Sequence, residues 1–185
     1  SSIAQLGYIS LSIGLASKLG IASAIIHLFN HALMKGALFL ALGAMIYKVG
    51  GAELKHCQGM LKRMPLTSLA IIIGGLSLIG IPGTAGFISK WYMINASLEA
   101  GLWPLALLIL FGSLLAIIYV WKMVEAITLQ PSTSTATAPL TRDEAPLTML
   151  VPIWALVIAN IYYGINTELT VSLAQRAANI LVGGY

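Results

Sequence analysis

The chain alternates between long apolar blocks and short polar interruptions, and the blocks have the length of membrane spans rather than of amphipathic surface helices. Residues 3–17 are rich in small side chains (Gly7, Ser10, Ser12, Gly14), which let helices approach closely in lipid. Lys18 and Gly20 punctuate that block, and residues 21–47 form a second one, long enough to cross with tilt. Residues 66–78 are apolar and helical in character. Then comes Gly80-Ile81-Pro82-Gly83-Thr84-Ala85-Gly86, which no regular helix tolerates in its middle. Apolar sequence resumes at Phe87, so 66–99 is either two short crossings joined by a tight turn or one crossing broken at its centre. Residues 102–121 are a span without charge. Residues 147–165 are a last span, with Trp154, Tyr162 and Tyr163 as interface anchors, and 167–182 read as an amphipathic tail on the membrane surface. The pattern predicts an all-α polytopic membrane protein of about six hydrophobic segments with a broken helix near Pro82.

Composition supports the class. Hydrophobic residues make up 58% of the chain and charged residues 9%, where a soluble domain has about 25% charged. The net charge of +4 is spread over loops and two lysines within apolar blocks. No basic cluster with interleaved aromatics occurs, so nucleic acid is not an expected partner. The loop 48–65 sets Lys48, Lys55, Lys62 and Arg63 against Glu53, which places it on the cytoplasmic side. Cys57 is the single cysteine, which rules out an internal disulfide framework or a Cys-based metal cluster. Residues 130–145 are rich in Ser, Thr, Ala and Pro, followed by Arg142, Asp143 and Glu144, and read as an exposed flexible loop. Ser1 runs straight into apolar sequence without a basic leader region, so the chain is expected to begin inside a longer protein.

The chemistry lies in ionisable residues where a bilayer makes them costly. His27, His31 and Lys35 are spaced four apart, so they share one stripe of a helix and cover about 12 Å along its axis. Histidine titrates near neutrality, and a buried lysine is able to do so. With waters in the gaps, the ladder suits proton movement. The blander reading is two histidines gluing helices with Lys35 snorkelling, but Lys35 is far from either end of its block. His27 and His31 also have zinc-type spacing, opposed by the cationic Lys35 one turn on and by the lack of a nearby acidic or Cys ligand. Lys90 is the one charge between Leu66 and Leu98 and follows the break at Gly80, Pro82, Gly83 and Gly86, where opened backbone and water reach it. Lys122 and Glu125 read as a relay pair or a helix-end salt bridge.

Three ordered motifs carry a resemblance. Ser-Ser-Ile-Ala-Gln-Leu-Gly-Tyr at 1–8, His-Leu-Phe-Asn-His-Ala-Leu-Met-Lys-Gly-Ala-Leu-Phe-Leu at 27–40 and Gly-Ile-Pro-Gly-Thr-Ala-Gly-Phe-Ile-Ser-Lys at 80–90 resemble the antiporter-like proton-pumping family. Its members are membrane subunits of NADH:quinone oxidoreductase (complex I), membrane-bound hydrogenases and Mrp-type sodium/proton antiporters. The resemblance covers essentially the whole chain but only the C-terminal part of a member. It implies the second of two inverted helical repeats at 1–127, a flexible loop at 128–146, and a terminal transmembrane helix and tail at 147–185. It assigns His27, His31 and Lys35 to the central proton ladder and Lys90 to the exit half-channel. The glutamate–lysine pair of the first repeat is absent from this sequence, so the chain alone is not expected to transport.

The expected function is proton translocation within a multisubunit energy-converting complex, most simply in a bacterial cytoplasmic membrane. Partners would be other membrane subunits, the remaining half of the same fold and the lipid bilayer. No cofactor and no redox or hydrolytic chemistry is expected in this chain, which has no iron–sulfur ligand set or flavin motif. A stand-alone secondary transporter and a structural membrane subunit without a relay are the competing readings.

Overall fold

The computed structural model describes residues 1–51, 53–129 and 142–183. They form helices α1 (Ser2–Gly14), α2 (Lys18–Val49), α3 (Met60–Arg63), α4 (Pro65–Ile79), α5 (Ala85–Glu99), α6 (Trp103–Thr128), α7 (Leu147–Ile165) and α8 (Glu168–Gly183), with a 3-10 turn at Leu54–Cys57 before α3. The fold is all-α and membrane-like, and the expected break near Pro82 lies between α4 and α5. Three helices, α2, α6 and α7, are long and apolar enough to cross a bilayer unaided. The other apolar helices fall short for a geometric reason. At 15 residues each, α4 and α5 are about 22 Å long, against a hydrocarbon core of roughly 30 Å.

Helix α2 is the axis of the molecule and packs against α1, α4, α5, α7 and α8. It starts earlier than its apolar block implies, because Ser17 caps it by accepting from the Gly20 N–H at 3.0 Å. It ends on Gly50 in the left-handed region. Along its C-terminal half Ala37, Ala41 and Ala44 form a fully buried stripe. That stripe packs with Ile71 of α4, Ile127 of α6 and Ile153 and Val157 of α7 in the main core. Small residues at this spacing bring helix backbones close together, the main source of van der Waals gain where lipid supplies no hydrophobic drive. The N-terminal half of α2 has its own core, where Ala22 and Ile26 meet Ala174 and Ala178 of α8. The segment read as a surface tail is therefore a helix docked by its alanine face.

Of the segment read as a flexible loop, residues 130–141 lie outside the described residues. The stretch that follows them is fastened. Asp143 accepts from Lys48 Nζ at 2.5 Å and from Arg63 Nη2 at 3.2 Å. Glu144 accepts from Leu66 N at 2.8 Å and Thr67 Oγ1 at 2.6 Å. Glu144 thus supplies the N-terminal cap that α4 lacks from its own sequence, at the end where the helix dipole favours an anion. The two cationic partners hold the Asp143 carboxyl below its ordinary value of 3.8.

The break between α4 and α5 is a turn with recognisable chemistry. Gly80 ends α4 with φ of +94°, a conformation costly for any residue with a Cβ. Ile81 to Thr84 then close a turn through Thr84 N–H to Ile81 O at 3.2 Å, with Pro82 second and Gly83 third at φ of +89°. That is the residue order of a type II turn. Gly86 has a different task. A Cβ there would overlap the backbone carbonyl of Ser77, and one on Gly164 of α7 would overlap the backbone of Gly83 and Thr84.

Two outcomes follow from this packing. Gly86→Ala and Gly164→Ala should each destabilise the detergent-purified protein by about 1–3 kcal/mol through overpacking. Gly7→Ala, where a Cβ meets nothing within 4 Å, should leave the thermal midpoint unchanged. For Asp143, whose value is lowered on folding, the stabilisation is present at neutral pH and lost as pH falls through that lowered value. Asp143→Asn should therefore flatten the acid side of a thermal-stability profile below about pH 4 and leave its alkaline side unchanged.

Candidate functional site

Four helix ends and faces converge on the break, and each supplies polar atoms to backbone that the turn sets free. Asn160 Oδ1 of α7 accepts from Ser77 Oγ at 2.9 Å and from the Ala85 N–H at 3.2 Å. Asn30 Nδ2 of α2 donates to Ala85 O at 2.7 Å. Ser77 Oγ also accepts from the Gly86 N–H at 3.3 Å. Both asparagines are buried. Asn160 pairs with an N–H that the start of α5 leaves unmatched, and Asn30 adds a second donor to the Ala85 carbonyl.

Lys90 closes the other side. It sits in the second turn of α5 and is only 5% exposed. Its Nζ donates to Leu78 O at 3.0 Å, Ile79 O at 2.8 Å and Ser113 Oγ of α6 at 2.9 Å. Leu78 and Ile79 are the last two residues of α4, so the ammonium lies where orphan carbonyls and the negative end of the helix dipole coincide. An unpaired charge at this depth would cost several kcal/mol, and three acceptors offset it. Gly80 contributes as well, since a Cβ there would come within 3.1 Å of the Lys90 stem.

The ladder of α2 reaches this site through His27. His27 is fully buried and its Nδ1 lies 2.8 Å from Ser89 Oγ of α5. Ser89 Oγ is in turn 3.1 Å from Gly86 O, to which it donates. A Ser89 hydroxyl that donates to Gly86 O leaves a lone pair for the Nδ1–H tautomer of His27, in which Nε2 is an acceptor. Among the described residues Nε2 has no hydrogen-bond partner, and neither has His31 Nδ1. The two imidazoles are stacked with centroids 6.1 Å apart and planes at 19°. Tyr8 of α1 stands between ladder and break, with its ring centroid 6.0 Å from that of His27 and 5.6 Å from Lys90 Nζ. The ring face stabilises the ammonium.

Lys35 points elsewhere. Its Nζ donates to Ser1 Oγ and lies 5.3 Å from the Phe39 ring centroid. It lines a cavity of about 220 Å³ walled mainly by apolar side chains of α2, α4 and α6, with Leu78 and Tyr119 among them. Leu78 is the residue whose carbonyl holds Lys90. The cavity thus places Lys35 and the Leu78 side chain, near the end of α4, on one largely apolar space.

Lys122 and Glu125 form no ion pair with each other among the described residues, and Lys122 is exposed. Their three-residue spacing permits a pair, but a solvent-facing side chain gains little from making one. Six contributing residues were not singled out by sequence reasoning: Tyr8, Asn30, Ser77, Ser89, Ser113 and Asn160. A lone Asn in an apolar helix is a usable signal, since it must find a partner in lipid. Ser89 and Ser113 carry no such signal, because a serine satisfies itself on the preceding turn.

The matches to known proteins follow the same geometry. The NADH-quinone oxidoreductase subunit N of Desulforudis audaxviator is 37% identical over 182 residues, covering 93% of this chain and 36% of that subunit. A chain of the Mrp complex from Dietzia sp. DQ12-45-1b superimposes with a TM-score of 0.86 at 28% identity, covering 97% of this chain and 41% of its own length. A chain of the membrane-bound sulfane sulfur reductase, an archaeal respiratory membrane complex, gives a TM-score of 0.77 at 34% identity over 89% of this chain and 27% of that one. The chain therefore spans well under half the length of each of these relatives. The transmembrane signature of NADH:quinone oxidoreductases and Mrp antiporters matches residues 1–116, more than half of the 185, and the chain belongs to that family.

Proposed function

We propose that this chain carries the break-proximal part of a proton path in a multisubunit, energy-converting membrane complex, with His27, His31, Lys35 and Lys90 as its protonatable groups. The observation that carries the reading is Lys90. It is a buried ammonium on the freed carbonyls of α4, with the Tyr8 ring between it and His27 of the ladder. A buried lysine on a discontinuous helix is the kind of group that marks an ion pathway. The named relatives support the setting, since they are subunits of a quinone oxidoreductase, an Mrp complex and a respiratory membrane complex. Their greater length supports a path whose other part lies in helices beyond these residues. In this reading residues 1–127 form the second of two inverted repeats and α7 is the terminal crossing. The partners are further membrane subunits that supply the driving energy, and this chain performs no redox or hydrolytic step.

The test is proton flux in liposomes holding the intact complex. Lys90→Ala and Lys35→Ala should each lower flux per assembled complex by at least about tenfold, the low end of what a positioned proton-transfer group contributes. Normal flux in both variants would leave the polar residues as inter-helix glue. Flux from the purified chain without partners would instead support a stand-alone transporter.

A further inference from the structure

The shell around Lys90 has a property that burial alone does not require. Two of its three acceptors are backbone carbonyls, Leu78 O and Ile79 O, which only accept. The third, Ser113 Oγ, both accepts and donates. In the structure Ser113 spends its hydroxyl proton on Ile109 O at 3.1 Å and accepts from Lys90 with a lone pair. Ile109 O is also the i−4 acceptor of the Ser113 N–H within α6, so losing the hydroxyl leaves it paired.

Charged Lys90 has three donors for three acceptors. Neutral Lys90 has two donors and one lone pair. When the ammonium gives a proton to water, one N–H bond breaks and its electron pair stays on nitrogen. Two N–H groups still serve the two carbonyls. The lone pair then faces Ser113, whose hydroxyl has only to rotate from Ile109 O to donate to it. We infer that Ser113 is the positioning residue of the Lys90 site: the one partner able to reverse its hydrogen bond, so that lysine keeps the same geometry charged or neutral.

The other elements packed on α5 offer no substitute. His27 on α2 and Tyr8 on α1 are the titratable groups facing Lys90, and neither is hydrogen-bonded to it. Helices α4 and α7 contain no Asp, Glu, Lys, Arg or His. On α6, Lys122 and Glu125 lie nine and twelve residues past Ser113, about 13 Å or more along the axis. Among the described residues Ser113 is thus the one hydrogen-bond partner of Lys90 able both to accept and to donate.

This inference rests on the proposed proton path and deepens it. The experiment is the pH profile of proton flux by the intact complex in liposomes, for Ser113→Ala, Ser113→Thr and Ser113→Val, with incorporation of each variant measured in the same preparation. Thr and Val are nearly isosteric, so the pair isolates the hydroxyl even if the alanine variant assembles poorly. Ala and Val should lower peak flux on the order of tenfold, the worth of one hydrogen bond to a charged group, and displace the profile along the pH axis by about half a unit or more. Thr should restore both. An unmoved profile in Val, or a Thr variant as impaired as Val, would overturn the inference. If Lys90→Ala abolishes flux while Ser113→Val behaves as wild type, only this inference fails. If Lys90→Ala keeps normal flux, the path itself fails.

Discussion

Two carbonyls at the end of α4 and one ammonium on α5 hold the centre of this molecule together. Breaking a helix inside a membrane frees peptide groups that lipid cannot satisfy, at a cost of several kcal/mol each. Here Leu78 O and Ile79 O receive Lys90, while Asn30 and Asn160 take the peptide groups of Ala85 on the far side of the turn. The exchange works in both directions, since the same carbonyls make a buried cation tolerable. Removing either half leaves the other unpaired at depth, so break and lysine are best understood as one feature.

The surrounding packing serves that feature. The alanine stripe of α2 and Gly164 of α7 bring backbones close enough for asparagine side chains, which are short, to reach across. Gly86 lets α5 start against Ser77, and this near contact aims Lys90 back over the end of α4. Of the α2 stripe, His27 bonds Ser89 of α5 and stands beside Tyr8, whereas Lys35 bonds Ser1 and lines an apolar cavity that Leu78 also walls.

Much of this was legible from residue types with strong backbone or solvation preferences. Gly80, Pro82 and Gly83 announce the turn because each fits a conformation that other residues resist. His27, His31, Lys35 and Lys90 stand out because ionisable groups in apolar sequence are costly. Gly86 was legible as part of the break, but its role is close packing rather than bending. The role of Glu144 was not legible, because its capping of α4 depends on a contact across 77 residues or more. Ser89 and Ser113 were invisible for a plainer reason: their importance lies in what tertiary packing places opposite them.

The central claim is that Lys90 changes its protonation state and is not merely a fixed cation bracing a helix end. Lys90→Arg separates these directly, because a guanidinium keeps the charge and can serve the same carbonyls but does not give up its proton. Flux through the intact complex in liposomes, compared with the amount of assembled complex, is the measurement. The account predicts normal assembly with flux lost; wild-type flux with arginine at this position would contradict it.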